Sequence, residues 1–189
     1  MGLATTLHAS PVSRMQGAAA KLIALNVLDG VAVLASYWYG FATAADPGAL
    51  WGEVPEWLRP AYTVSMFSAA VGFFPPLALV LFGLDAKRVR VLSRGYGVFL
   101  ACYALILVPS ALWMPLTFRM VEAPSPGLWV LIRLVLFTVA AGSVGLLVAI
   151  VRARPRPTGV AFALAVIGQV AFCIQTVLLD AAVWPAWFR

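Results

Sequence analysis

Five apolar runs of about 20 residues, at 22–41, 61–84, 96–114, 128–151 and 160–183, divide this sequence, and each is long enough to cross the ~30 Å hydrocarbon core of a bilayer as a helix. Lipid supplies no hydrogen bonds, so an open strand edge cannot sit within it and the runs are read as helices. The expected fold is an all-α polytopic membrane protein, a single five-transmembrane-helix bundle over 22–183 with an N-terminal tail 1–21 and a C-terminal tail 184–189. Because 63% of the 189 residues are hydrophobic and only 11% are charged, no soluble catalytic domain fits beside the bundle. Pro75-Pro76 falls near the middle of the second run, where the missing N–H groups predict a kink or a break that a neighbouring helix or a ligand can use.

The charges are sorted by connection. Arg14 and Lys21 precede the first run; Lys87, Arg88, Arg90 and Arg94 follow the second; Arg152, Arg154 and Arg156 follow the fourth. The alternate connections carry Asp46, Glu53, Glu56 and Glu122 against Arg59 and Arg119. Basic connections stay cytoplasmic, which predicts an N-terminus inside and a C-terminus outside after five crossings. The net charge of +6 is explained by this sorting, so nucleic acid is not an expected partner. All seven tryptophans, Trp38, Trp51, Trp57, Trp113, Trp129, Trp184 and Trp187, fall on the less basic side. A one-sided set fits either a lopsided interfacial belt or an aromatic cap. The connection 44–60, with Trp51, Trp57 and three prolines, is expected to lie along the surface as an aromatic-anchored lid.

The chain begins Met1-Gly2-Leu3-Ala4-Thr5-Thr6, which formally fits N-myristoylation of Gly2, although a five-span protein gains little from one acyl chain. Ala42-Thr43-Ala44 imitates a signal-peptidase site, but the first run is longer than an ordinary signal core and is read as a retained anchor.

No catalytic, metal or cofactor motif is present. The one histidine, His8, lies in the tail, so paired haem ligands, a multi-histidine metal site and a membrane Ser-His dyad each lack a member. Cys102 and Cys173 lie inside apolar runs and read as small hydrophobes. Two ionisable residues, Asp29 and Arg133, stand within the runs, and their cost in hydrocarbon makes each a candidate for function. Helical spacing puts Asn26, Asp29, Ser36 and Tyr37 on one polar stripe that must face protein or water. Arg133 keeps its charge and needs an acceptor; depth along the helices makes Gln175 and Asp180 its expected partners, as a clamp or as the seat for an acidic head. The candidate ligand-binding residues are thus Asp29, Asn26, Tyr37, Arg133, Gln175, Trp51, Trp57 and Trp129.

In span number, length and tryptophan content the chain resembles the tryptophan-rich sensory (translocator) proteins, which bind porphyrins and sterols. The helix signatures of that family are absent from AYTVSMFSAAVGFFPPLALVLFGL and VAFALAVIGQVAFCIQTVLLDAAV, so the resemblance is architectural and transfers no residue role. Asp29 with Pro55-Glu56-Trp57 resembles four-helix sterol-isomerase-like membrane proteins, but the second run supplies no second carboxylate and the span count differs. The expected function is to bind a membrane lipid or an amphiphilic small molecule, or to serve as an accessory membrane subunit. The alternative is a small transporter or channel using Asp29 as an intramembrane proton or cation site. A homo-oligomer and a partner membrane subunit are both compatible with small-residue pairs such as Ser36/Gly40 and Ala161/Ala165.

Overall fold

The computed structural model describes residues 11–188; Gly2, His8 and Arg189 lie outside them. Five helices are long and apolar enough to cross a membrane: α1 (Pro11–Thr43), α2 (Arg59–Gly83), α3 (Gly97–Glu122), α4 (Pro126–Arg152) and α5 (Gly159–Trp187). The chain is an all-α, multi-pass integral membrane protein. α3 continues past the expected Met114 to Glu122 with Pro109 and Pro115 inside it. α4 starts sharply because Ser125 Oγ accepts the Leu128 N–H at 3.1 Å and Pro126 follows it, the usual side-chain cap and first-turn proline.

Neighbours in space run in the order α1, α3, α4, α5, α2. α4 is central, with half of its most apolar stretch buried in protein, whereas the corresponding share for α1 is 6%. Little of α1 is therefore fully buried, and its main seam is with α3, where Gly40 lies against Met114 and Phe118. Between α3 and α4 the close approach is at Gly142, where an added Cβ would stand 3.0 Å from the Cys102 carbonyl oxygen.

The closest crossing joins α2 to α5. A Cβ on Gly72 would lie 2.5 Å from the Gly168 carbonyl oxygen, and a Cβ on Gly168 equally near the oxygen of Gly72. This contact sits at the break that Pro75-Pro76 imposes: the α-helix stops at Gly72, resumes over Phe74–Ala78 and ends in a π-helical turn, Leu79–Gly83. The expected mid-membrane interruption is present, and a neighbouring helix fills it.

One end of the bundle is basic. Reciprocal backbone hydrogen bonds of 2.8 and 2.9 Å between Arg90 and Arg154 tie the two basic connections together. Val89 and Val91 are buried there with Leu22, Tyr96, Ile150 and Ala153. The opposite end is aromatic. Asp46 Oδ1 accepts the Gly48 N–H at 2.8 Å and starts a 3-10 turn over Pro47–Trp51. The connection then folds inward instead of lying free, burying Leu50 and Val54. It is fastened to the end of α5 by Trp184 Nε1 donating to the Leu50 carbonyl at 2.9 Å and by the Glu53 N–H donating to the Trp187 carbonyl at 2.9 Å. Gly52 is required at this junction, since its φ of 54° and a Trp187 oxygen 2.9 Å from any Cβ exclude other residues.

Two measurements test these contacts. Gly168→Ala should destabilise the protein by about 1–3 kcal/mol, because a backbone oxygen cannot yield to the added methyl. Gly30→Ala, where nothing lies within 4 Å, should be neutral or stabilising by up to ~1 kcal/mol. Thermal unfolding in detergent that ranks the two variants equally would contradict the crossing. Trp184→Phe keeps the ring stack but leaves the Leu50 carbonyl without its donor, and should cost about 1–3 kcal/mol; proteolysis within 44–58 should accelerate alongside.

Candidate functional site

α5 does not stay α-helical. From Ile174 to Val183 it is a π-helix of ten residues, in a class of structure that normally occurs as single-turn bulges and often at functional sites. The change of repeat decides what faces what. In an α-helix residues five apart point about 140° away from each other, whereas the wider turn of a π-helix, with its i→i+5 hydrogen bonds, brings them toward the same side. Gln175 and Asp180 are five apart and share a face, with Gln175 Nε2 donating to Asp180 Oδ1 at 2.7 Å.

This pair is the corrected partner set for both residues. The expected clamp on Arg133 does not form: its guanidinium lies 4.8 Å from the Phe137 ring centre and 6.0 Å from that of Trp129, two residues of its own helix one turn away on either side. Arg133 is half-buried. Among the described residues the ion pairs are Asp85–Arg88 and Arg119–Glu122, both at chain connections. α4 and α5 are instead joined by Ser143, Gln169 and Thr176, three buried residues that had no signal in the sequence beyond their polarity. Gln169 Nε2 donates to the Ser143 carbonyl at 2.9 Å, and the Thr176 hydroxyl meets Ser143 Oγ at 3.0 Å and the Phe172 carbonyl at 2.9 Å.

Around Gln175 and Asp180 stand aromatic side chains from four elements. Tyr62 of α2 donates its hydroxyl to the Leu179 carbonyl at 3.1 Å. Tyr37 of α1 is 5.9 Å from Trp113 of α3 between ring centres, and Trp113 is 5.8 Å from Trp184. Above them Trp184, Phe188 and Trp129 form one cluster, with Trp184 stacked on Phe188 at 4.3 Å and Trp129 lying 6.0 Å from Phe188 and 6.2 Å from Trp184. Two buried polar atoms here have no partner in the protein, Gln175 Oε1 and Trp113 Nε1. Gln175 as a whole is 7% exposed.

The remaining sequence candidates divide. Tyr37 joins this cluster. Trp129 belongs to the aromatic lid over it, and Trp51 packs edge-on against Tyr62 at 6.0 Å. Trp57 and Trp38 are each 78% exposed, at positions suited to an interfacial belt. The packed aromatic cluster is thus formed without Trp38 and Trp57. The polar stripe of α1 is half-buried at Asn26, Asp29, Ser36 and Tyr37. Asn26 Nδ2 donates to the Leu22 carbonyl at 2.8 Å, while its Oδ1 is buried without a partner. Arg133 and Asp29 are not brought to Gln175. A groove of about 560 Å³ also runs along α2 and α5, walled by Ala61, Val64, Ser65, Ser68, Ala171 and Ile174, and is almost wholly apolar.

Comparison of the chain with protein-family models, with curated proteins and with solved structures finds no match.

Proposed function

We propose that this membrane protein binds an amphiphilic small molecule, with the polar head at Gln175 and Asp180 and the hydrophobic part in the surrounding bilayer or between the helices. The observation that carries the reading is the buried, unpartnered Gln175 Oε1 beside the Asp180 carboxyl inside the spanning region. A buried polar group without a hydrogen bond costs about 1–3 kcal/mol, and in lipid no water stands ready to repay it. The aromatic lid supports the same reading, since Trp113, Trp129, Trp184 and Phe188 form a wall that excludes water from above.

A path from the bilayer is available between α1 and α2. α1 leans on α3 and has no substantial contact with α2 or α5 among the described residues, so its aromatic half can part from them without breaking a seam. Sequence charge supports placing the basic end in the cytoplasm and the aromatic end outside, which puts the head site in the outer leaflet.

Native mass spectrometry of protein extracted in mild detergent should show a non-covalent amphiphile of defined mass. Gln175→Leu keeps the volume and removes both amide atoms, and should release it, while Ser68→Ala in the apolar groove should not. A wild-type protein that carries nothing, and that binds no added amphiphile, would refute the reading. The orientation is tested by a reporter active only outside the cytoplasm: fused after Arg189 it should be active, and inserted in 87–94 it should be silent. The reverse pattern would move the site to the inner leaflet.

A further inference from the structure

The acceptors of this cluster specify its ligand further. Asp180 is a carboxyl group among aromatic rings, and among the described residues neither ion pair involves it. The two nearest candidates by depth are committed elsewhere. Arg59 Nε donates to the Val54 carbonyl at 3.1 Å and the guanidinium lies over Trp51 at 5.9 Å; Arg133 lies over Phe137 and Trp129. One Asp180 oxygen accepts from Gln175, and the residue keeps partial exposure instead of being sealed. Gln175 orients its amide so that the nitrogen serves Asp180, which leaves its oxygen as a second acceptor in the same place.

The Asp180 carboxyl and the Gln175 amide oxygen, next to the aromatic cluster of Tyr37, Trp113 and Trp184, offer two acceptors to a positive head. Removing an unpaired charge from water is costly, and a counterion with good hydrogen bonds offsets that cost. Aromatic faces attract a cation through the ring quadrupole, and the attraction grows when the cation is desolvated. A sterol hydroxyl or a fatty alcohol would satisfy one acceptor and leave the charge unanswered. An acidic head would be repelled.

On the reading of the preceding section, we propose that the head bound at Asp180 and Gln175 is the protonated amine of a long-chain amine. Its ammonium donates to the free Asp180 oxygen and to Gln175 Oε1, and an oxygen near the nitrogen, as in an amino alcohol, accepts from Trp113 Nε1. The tail leaves between α1 and α2 into the apolar layer.

The test uses the full chain in dodecyl maltoside micelles, with dodecylamine and dodecan-1-ol as probes of equal tail length, read by tryptophan emission and by native mass spectrometry. Wild type should bind the amine about tenfold or more tightly than the alcohol, the worth of one charge-assisted hydrogen bond. Asp180→Asn keeps the bond to Gln175 and removes the charge, so it should stay folded, with an unchanged thermal midpoint, and bind the two probes alike. Asp29→Asn should retain the preference. If wild type binds both probes equally and Asp180→Asn changes nothing, the amine is wrong while amphiphile binding stands. If the preference is lost in Asp29→Asn instead, the charge that selects the ligand lies on α1 and the assignment to Asp180 falls. If neither probe binds, both readings fall together. Should Asp180→Asn unfold, Asp180→Glu decides: it retains the charge and must retain the preference.

Discussion

The arrangement rests on a backbone contact, the crossing of Gly72 with Gly168. Pro75 and Pro76 deprive the carbonyls of Val71 and Gly72 of their i+4 donors, and in hydrocarbon no water replaces them. α5 comes close enough at Gly168 for Cα–H groups to meet carbonyl oxygens across the crossing, a weak interaction that recurs where helix backbones touch. Any side chain at either position would push the helices apart. With α2 and α5 pinned at mid-membrane, Phe73, Tyr103 and Phe172 close around the crossing through ring contacts of 5.6 and 5.7 Å. The polar cluster lies between the crossing and the aromatic end, where Tyr62 of α2 reaches the Leu179 carbonyl of α5 at 3.1 Å.

Above the crossing the π-helical repeat of α5 takes over. A π-helix widens the backbone and gives poorer side-chain packing than an α-helix, so it persists only where the surroundings hold it. The holding groups here are concrete: Ser143 against Thr176 at the start, Tyr62 against the Leu179 carbonyl in the middle, and Trp184 against Leu50 at the end. Two neighbouring helices and the capping connection therefore fix the register that sets Gln175 and Asp180 on one face. Loss of any one of them would favour return to the α repeat and would turn the two side chains apart.

Much of this was legible in the residues and some was not. Five spans, the interruption at Pro75-Pro76 and the segregation of arginine from tryptophan follow from lipid's demand for satisfied backbone and from interfacial preference, which act on local sequence. The polar stripe of α1 was likewise readable, because α1 is regular. Asp180 was misassigned because depth along an ideal α-helix was the only ruler available, and a π repeat cannot be read from composition: IQTVLLDAAV contains no proline or glycine to announce it. The Gly72–Gly168 crossing was hidden for another reason. Each glycine looks like one of 15, and only the pairing of two distant segments shows which of them require glycine.

Arg133 and Asp180 show why the two signs of charge are treated unequally here. A guanidinium is planar, weakly hydrated and able to stack, and a long stem lets it reach toward the interface. Arg133 therefore finds what it needs one turn away in each direction on its own helix, in Trp129 and Phe137, and asks nothing of α5. A carboxylate has no such recourse: ring faces repel it, its stem is one carbon long, and only donors or a cation stabilise it. Among the described residues Asp180 obtains one donor, Gln175, and no ion pair. A helix-borne arginine can thus be structural by itself, whereas an aspartate among aromatic rings depends on a donor that the backbone repeat must bring to it, and here the π-helical turn brings Gln175.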